Sequence, residues 1–453
     1  MKTKLRTDTI KKFEIETGYK LEIKNRKLHY NGNLDFTNIG ITWLPKDLTV
    51  GGNLYLRGSN ITHLPKGLTV NGSLYLTGSS IIHLSEDLTV GGSLYLTKSS
   101  ITQLPENLTI GDSFFLSGSS ITQLPKKLIV NRSLFLENTG ITQLSKDLTV
   151  GDSIILKGSC ITQLPEDLTV GGNLDIRDTA ITRLPEKLIV GSNLDIRNTN
   201  ITWLPEGLTV GGNLDIRDTN ITQLPKNLTV GGSLLLDGTG ITQLPENFTI
   251  GDSLFLQDTS IIHLPENLTV GAALILRGTG ITQLPKNLTV GGSLVIEGTD
   301  IIDTSMANRK TPKFFEWQNG KYIKADNIFS KVISHKGNVY KICQIGQTKE
   351  RYLVTDGDGK WSHGDTMQEA KNDLRYKINN RDKTRYEHLT LDSELTYSEA
   401  IEAYRYITGA CAAGTRIFLE ENPGIKKDKY TVREIINITN NQYNSDIFRN
   451  FFQ

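Results

Sequence analysis

The sequence predicts a parallel β-solenoid built from 20-residue coils, followed by a small α+β domain. The pattern I-T-x-L-P-x-x-L-T-V-G-G-x-L-x-L-x-x-T-x runs in register from Ile41 to residue 300, in thirteen copies without insertion or deletion. Beyond IIDTSMANRK this period stops, and strand-like and helix-like patterns alternate. A fixed short period is typical of solenoids, because each coil buries its apolar side chains only against its neighbours.

Each copy carries a short strand and a set of core positions. In the L-x-L segment we expect Leu54 and Leu56 to face inward and Tyr55 to face outward, because successive side chains of a strand alternate. Leu48 and Val50 form a second inward pair. Stacked copies then pair these segments side by side into a parallel sheet at about 4.8 Å per coil.

The array has a degenerate first copy, LEIKNRKLHYNGNLDFTNIG. The segment before it is expected to cover the first coil with Ile10 and Phe13, because an open coil exposes apolar core and unpaired strand edge. The predicted boundaries are an N-terminal capping segment at 1–20, the solenoid at 21–303, a linker at 304–313 and the C-terminal α+β domain at 314–453.

Two further repeat positions predict features of the turns. The position of Gly51 holds Gly in eleven copies and Asn in two, which indicates a left-handed corner. The position of Ser59 is Ser or Thr in every copy. We expect that hydroxyl to bond the backbone of its own turn and to form a ladder along the solenoid.

These repeats carry a resemblance. The pattern L-x-L-x-x-(N/T)-x-(I/L)-T-x-L-P resembles the leucine-rich repeat of the IpaH-type bacterial effector family, and phage and prophage proteins with LTVGGxLxLxxTxI repeats are similar too. The resemblance covers about residues 21–303 and implies a leucine-rich-repeat-like parallel β-solenoid with a binding surface. IpaH-type proteins also carry a ubiquitin-ligase domain with a Cys-x-Asp motif. Because Cys411 is followed by Ala-Ala, ligase activity is not implied here.

The outward residue of the L-x-L segment predicts a partner-binding surface. Five consecutive coils carry aromatic residues there, and three later coils carry the sequence NLDIR, which places Asp and Arg on the same face. Exposed aromatic rows anchor partners, although they also stabilise parallel ladders. The Asp and Arg side chains form either a charged recognition patch or a self-neutralising ladder. The predicted binding residues are Tyr55, Tyr75, Tyr95, Phe115, Phe135, Asp175, Arg177, Asp195, Arg197, Asp215 and Arg217.

The C-terminal segment has mixed character. NVYKICQI and ERYLVTD alternate like strands, DGDG indicates a turn, and Thr366, Thr396 and Thr431 each precede a Glu by three residues, as in helix capping boxes. We expect two or three strands followed by three to four helices. YLVTDGDGKWSHGDTMQEAKNDLRYKI resembles the strand, Gly-Asp-Thr, helix unit of HicB-like antitoxins over about 25 residues, which implies a compact sheet–helix module.

One set of residues in this segment suggests catalysis. Cys411 lies where a following helix N-terminus lowers a thiol pKa, and His363 with Asp365 supplies a base and its orienting carboxylate. The alternative is that Cys411 is a small buried residue at a helix junction. No metal site is predicted at His63 and His83, because no carboxylate or Cys joins them, and no cofactor is expected.

Composition narrows the classes of function. Fifty basic and 49 acidic residues give a net charge of +1, which argues against nucleic acid as the partner. Three cysteines and the absence of an apolar signal or membrane segment favour a cytoplasmic protein, or one exported without a cleavable signal peptide. The leading hypothesis is a bacterial or phage-encoded protein that binds a protein partner, or a second copy of itself, through the solenoid face. The alternative is an effector whose C-terminal domain is a Cys-dependent hydrolase or transferase.

Overall fold

The chain forms two compact units, Met1–Thr311 and Pro312–Gln453. The computed structural model describes residues 2–308, 314–326, 328–345, 347, 349–378, 383–410, 412–422, 424–425, 427–440 and 442–452. The first unit is a leucine-rich-repeat-like parallel β-solenoid with a 20-residue period, and the second combines antiparallel sheets with helices. The fold class that the repeats predict is therefore confirmed.

The first unit begins with a helix that packs on the solenoid core. Helix α1 (Lys2–Thr17) buries Phe13 completely, and its ring meets Phe36 edge-on, with the centroids 6.0 Å apart. The ring of Trp43 lies 6.1 Å away, and its Nε1 donates a hydrogen bond to Glu16 at 2.7 Å. Ile10 is half-buried against the same core. An aromatic cluster therefore joins α1 to the first coils.

The solenoid strands are short and follow one another at regular intervals. An antiparallel hairpin comes first, with β1 at Glu22–Lys24 and β2 at Lys27–Tyr30. The remaining strands are β3 (Leu34–Asp35), β4 (Leu48–Val50), β5 (Leu54–Tyr55), β6 (Thr69–Val70), β7 (Leu74–Tyr75), β8 (Thr89–Val90), β9 (Leu94–Tyr95), β10 (Thr109–Ile110), β11 (Phe114–Phe115), β12 (Ile129–Val130), β13 (Leu134–Phe135), β14 (Thr149–Val150), β15 (Ile154–Ile155), β16 (Thr169–Val170), β17 (Leu174–Asp175), β18 (Ile189–Val190), β19 (Leu194–Asp195), β20 (Thr209–Val210), β21 (Leu214–Asp215), β22 (Thr229–Val230), β23 (Leu234–Leu235), β24 (Thr249–Ile250), β25 (Leu254–Phe255), β26 (Thr269–Val270), β27 (Leu274–Ile275), β28 (Thr289–Val290) and β29 (Leu294–Val295).

Each coil contributes to two parallel sheets. The odd-numbered strands from β3 to β29 form one fourteen-stranded sheet, and the even-numbered strands form an eight-stranded sheet with the hairpin and a seven-stranded sheet further on. Every parallel pairing is offset by one period, as in Leu54 with Leu74. Leu48, Val50, Leu54 and their equivalents fill a continuous core. The predicted inward and outward positions are confirmed.

The residue with positive φ lies at a different position of the repeat from the one that the sequence suggested. Gly51 and its equivalents do not have positive φ; a Cβ there meets the coil before it, as at Gly111, where it would stand 2.0 Å from the carbonyl oxygen of Gly91. The prediction of a left-handed corner at Gly51 was therefore wrong, since close backbone approach favours Gly there. Positive φ occurs seven residues later in all thirteen coils, between 53° and 73°. That position holds Gly, Asn or Asp in every coil but one, where Lys98 stands.

Lys98 offers a test of this assignment. With φ at 53°, its side chain crowds its own backbone, a cost of roughly 1–2 kcal/mol for most residues in the left-handed region. Replacing Lys98 with Gly is expected to raise the free energy of unfolding by about 0.5–1 kcal/mol, because relief of strain exceeds the added freedom of the unfolded chain. Thermal unfolding measures the gain. Lys98→Ala is the control: it removes the same exposed side chain but keeps the Cβ, so equal stabilisation by both would refute the assignment.

The predicted hydroxyl ladder also lies elsewhere. Ser59 Oγ donates to the carbonyl of Leu56 at 2.9 Å, within its own turn as expected, and the threonines at this position do the same. The hydroxyls of Ser79, Ser99, Ser119 and Ser159 have no hydrogen-bond partner among the described residues, so the expectation fails in those coils. The ladder between coils is formed instead by the Asn or Ser six residues earlier, in a row that ends at Ala273. There each side-chain oxygen accepts the backbone N–H of its equivalent in the next coil, as Asn53 does from Ser73 at 2.8 Å. This row ties successive coils together at the start of each odd-numbered strand.

The second unit contains more strands than the sequence predicted. Six strands form an antiparallel meander in chain order. They are β30 (Phe314–Trp317), β31 (Tyr322–Ala325), β32 (Ile328–Lys336), β33 (Val339–Gln344), β34 (Glu350–Thr355) and β35 (Trp361–Gly364). A further pair, β36 (Glu394–Thr396) and β37 (Lys429–Thr431), joins the helical part. The prediction of two or three strands was too low. Only β33 and β34 lie in segments whose apolar and polar residues alternate clearly, and the other strands lack that signal.

Three of the five α-helices described in the second unit begin where the capping boxes indicate, and the sequence prediction of three to four helices was too low. Thr366 Oγ1 accepts from the N–H of Glu369 at 3.1 Å, and both Thr396 and Thr431 form complete capping boxes. Within the described residues no helix is long and apolar enough to span a membrane. The helices are α2 (Met367–Ile378), a 3₁₀ turn (Thr384–Tyr386), α3 (Tyr397–Thr408), α4 (Ala412–Glu421), α5 (Val432–Ile438) and α6 (Ser445–Phe451).

Candidate functional site

Five aromatic side chains form a continuous stack on the outer face of the fourteen-stranded sheet. Neighbouring ring centroids are 4.4 to 4.5 Å apart, and neighbouring ring planes differ by only 4° to 13°. Parallel, in-register pairing places the same residue of each coil one strand spacing from the next, so the rings meet face to face. We call this set the aromatic stack: Tyr55, Tyr75, Tyr95, Phe115 and Phe135.

The rings are half-buried rather than fully exposed. The faces of neighbouring rings cover one another. At the first ring, the Nδ2 of Asn53, two residues earlier in the chain, donates a hydrogen bond to the Tyr55 hydroxyl at 3.0 Å. Burial raises the pKa of the Tyr75 phenol, and the neighbouring Tyr95 and Tyr55 raise it further. The expectation of an exposed ridge needs this correction. What remains for a partner is the ring edges and the hydroxyl groups of the tyrosines.

The three NLDIR copies form an ordered ion-pair network on the same sheet face. Arg177 holds Asp175 through two bonds, Nε to Oδ1 at 2.9 Å and Nη2 to Oδ2 at 2.5 Å, while its Nε lies 3.1 Å from Asp195 in the next coil. Arg197 repeats this with Asp195 and reaches Asp215 at 3.1 Å. We call the network the charge ladder: Asp175, Arg177, Asp195, Arg197, Asp215 and Arg217.

Several hydrogen bonds hold each Asp–Arg pair of the charge ladder in position. Each Asp also accepts a hydrogen bond from the backbone N–H of the Arg two residues later, as Asp175 does from Arg177 at 3.1 Å. The backbone therefore helps to hold each carboxylate in position. Hydrogen bonding to Asp175 raises the pKa of Arg177, and Asp215 does the same for Arg217. Two-pronged Arg–carboxylate bonds are among the stronger protein hydrogen bonds. The paired charges neutralise one another, which agrees with the interpretation of the NLDIR copies as a self-neutralising ladder.

Comparisons with known proteins give matches among solved structures only. No protein-family model matches the chain, and no curated protein matches it. The solved structures that resemble it include the following three. A leucine-rich-repeat protein of Leptospira interrogans is 16% identical, with a TM-score of 0.32 over 60% of this chain and 95% of that one. The leucine-rich effector YopM of Yersinia pestis is 17% identical, with a TM-score of 0.33 over 59% and 84%. YopM of Yersinia enterocolitica is 15% identical, with a TM-score of 0.23 over 60% and 88%.

The first catalytic candidate of the second unit, His363, is a buried residue. His363, in β35, is only 1% exposed, and within the described residues neither ring nitrogen has a hydrogen-bond partner. Burial, helped by the charges of Lys377 and Arg351, lowers the pKa of His363 to about 3. The ring is therefore neutral at physiological pH. The nearest carboxylate oxygen, Oδ2 of Asp326, lies 4.0 Å from Nδ1.

Asp365 is surrounded by basic groups. Its carboxylate pairs with Lys349 at 2.7 Å, Arg351 at 3.2 Å and Arg416 at 3.5 Å. The bond to Lys349 and these charges lower the pKa of Asp365. Cys411 lies outside the described residues, so catalysis by the three candidates stays a prediction. Among the described side chains, no group of three or more His, Cys, Asp or Glu is placed to hold a metal ion.

Proposed function

We propose that this chain binds a protein partner through the outer face of the fourteen-stranded sheet, with the aromatic stack at the centre of the contact. The observation that carries the proposal is the unbroken row of five rings at 4.4 to 4.5 Å spacing. Tyr and Phe are enriched at the centres of protein interfaces, where they supply large contact area. The resemblance of the repeats suggests a bacterial or phage-encoded protein, with an effector role as one form of this function.

Stacking orders the aromatic side chains before any partner binds. A side chain that is ordered only on association costs roughly 0.5–1.5 kcal/mol, and here the stack orders each ring beforehand. The ring edges give an apolar strip, and the hydroxyls of Tyr55, Tyr75 and Tyr95 give hydrogen-bond groups along it. A preorganised strip of this kind favours a rigid partner surface over a single small molecule.

The charge ladder limits where the partner lies. It begins two coils beyond Phe135, and its charges are already paired within the sheet. Paired charges at the edge of a contact contribute little affinity but disfavour apolar partner groups. We therefore place the charge ladder at the rim of the interface, with the partner centred on the aromatic stack and meeting charge at about residue 175.

Binding measurements with a purified partner test the proposal. A protein captured with the full chain is identified and produced, and its Kd is measured by calorimetry. Tyr75→Ala combined with Tyr95→Ala is expected to weaken binding at least tenfold, since each removes a central ring. Tyr75→Phe with Tyr95→Phe keeps the stack, as Phe115 shows that Phe fits, and separates the contribution of the hydroxyls from that of the rings.

The control is Trp203→Ala, which removes an aromatic side chain that is 43% exposed and lies outside the odd-numbered strands. Its Kd should match that of the unaltered chain. An unchanged Kd for the Ala pair would refute the proposal. If light scattering shows a dimer that the Ala pair dissociates, the partner is a second copy of the chain. The enzymatic alternative predicts instead that Cys411→Ala abolishes an activity while binding survives.

A further inference from the structure

One junction in the solenoid lacks the backbone pairing that joins the even-numbered strands of the other coils. Strand β14 ends the eight-stranded sheet and β16 begins the seven-stranded sheet, and these two strands do not pair. In twelve of the thirteen coils, all of which the structure describes, the N–H at the position of Gly51 donates to the carbonyl 21 residues earlier, at 2.7 to 3.1 Å. The thirteenth coil differs, because no such bond joins Gly171 to Val150. We call the junction between β14 and β16 the seam.

The apolar core is less covered at the seam than elsewhere in the solenoid. Leu148 and Val150 are half-buried, whereas the residues at these two positions are buried in each of the other twelve coils. Both side chains still pack against the core. The seam is therefore a local opening in the wall of the solenoid.

The same two coils remain paired on their other sides. In the odd-numbered sheet, β15 pairs with β17, and the N–H of Leu156 donates to the carbonyl of Asp175 at 2.7 Å. A parallel bridge joins Gln143 to Gln163 on a third side. The coils are thus held together on two sides and lack backbone pairing along the even-numbered strands.

The turn before β14 also differs from that of most other coils. Eleven coils have Pro at the position of Ser145, and Ser85 is the other exception. Ser145 Oγ donates to the carbonyl of Lys126 in the preceding coil at 2.7 Å, which a proline ring cannot do. The hydroxyl of Ser85 donates instead to Asp87 within its own turn. Among the residues at this position, only Ser145 is bonded through its side chain to the coil before it.

We propose that the seam is a hinge at which the solenoid bends, and that the bond from Ser145 to the preceding coil keeps it open. Bending at another junction breaks pairing between even-numbered strands and uncovers buried core. At the seam that pairing is absent and the core is already half-exposed, so opening requires less free energy there. Because the odd-numbered sheet stays paired, opening tilts the two coils about it. The outer face of that sheet then becomes more concave, and the aromatic stack turns towards the charge ladder.

Residue-resolved hydrogen–deuterium exchange on the full chain tests the seam. Gly171 and Gly211 stand in the same local sequence, LTVGGNLDIRD, so their amides have the same intrinsic exchange rate. Gly171 is expected to exchange at least tenfold faster, because it lacks the bond that Gly211 makes to Val190 at 2.8 Å. Equal rates at the two glycines would overturn the proposal.

Two variants test the role of Ser145 in the same measurement. Ser145→Pro restores the residue that eleven coils carry and is expected to slow Gly171 to the rate of Gly211. Ser85→Pro is the matched control, because it makes the same change where the hydroxyl does not reach the preceding coil. The control should leave the Gly171 rate as it is. A Gly171 rate that Ser145→Pro does not alter would show that Ser145 does not hold the seam open.

Distances between spin labels test the bending itself. In a chain whose three cysteines are replaced by Ser, Glu106→Cys and Glu206→Cys place labels at exposed positions on opposite sides of the seam. Glu186→Cys and Lys286→Cys have the same spacing in the repeat but lie on one side of it. The pair across the seam is expected to give a distance distribution at least twice as broad, which Ser145→Pro narrows to the width of the other pair. Equal widths in the chain that keeps Ser145 would refute the hinge. Neither measurement uses a partner, so the outcome does not depend on the proposed function.

Discussion

Replacing Phe13 with alanine is expected to lower the stability of the first coils by about 3–5 kcal/mol, the range typical of a fully buried phenylalanine. Phe13 is completely buried, and its ring packs edge-on against Phe36 and Trp43. Its loss leaves a cavity between α1 and the solenoid core. Because each coil contacts only its neighbours, the damage should stay at this end of the array.

Hydrogen–deuterium exchange measures this effect where it occurs. In Phe13→Ala, backbone amides of β2 and β4 should exchange faster, whereas those of β21 should be unchanged. Ile15→Ala on the same helix is the matched control, because Ile15 is 85% exposed and has little apolar contact to lose. Equal exchange in the two variants would show that α1 does not stabilise the first coils.

The solenoid could be predicted from the sequence because its contacts follow from its period. Every strand pairs with the segment 20 residues away, so the repeat that specifies the core also specifies the partner, as for Leu54 and Leu74. The turn details were harder. Gly is favoured both by positive φ and by close backbone approach, and the residue type alone does not separate the two. Only the geometry assigns the second cause to Gly111 and the first to the position of Lys98.

The second unit shows where local patterns fail. The capping boxes predicted three helix starts because the signal is contained in four residues. Strands β30 and β31 were missed, since FFEW and YIKA carry apolar residues on both faces and do not alternate. In the first unit, the row of aromatic residues was visible in the sequence, and in-register pairing brings the rings face to face. The half-burial of the stacked rings depends on side-chain packing, which residue types alone do not give.

Acidification is expected to destabilise the second unit through His363. Its pKa of about 3 in the folded chain lies below the ordinary value of 6.5. Below pH 6.5 the unfolded chain binds a proton that the folded chain cannot accept until about pH 3. The stability from the neutral ring is therefore complete above pH 6.5 and is lost as the pH falls. The slope is up to about 1.4 kcal/mol per pH unit, or roughly 2 kcal/mol between pH 7 and pH 5.

His363→Leu isolates this contribution. The substitution leaves no unpaired ring nitrogen in the strand, so stability at pH 7 should be equal or higher. Exchange of the amides in β34 and β35, corrected for the intrinsic effect of pH, reports the opening free energy of this region. Between pH 7 and pH 5 that free energy should fall for the unaltered chain and stay nearly constant for His363→Leu. His388→Leu, at an exposed histidine of the same unit, should keep the full pH dependence. If His363→Leu keeps it as well, protonation of another group governs the acid response and the assignment to His363 is wrong.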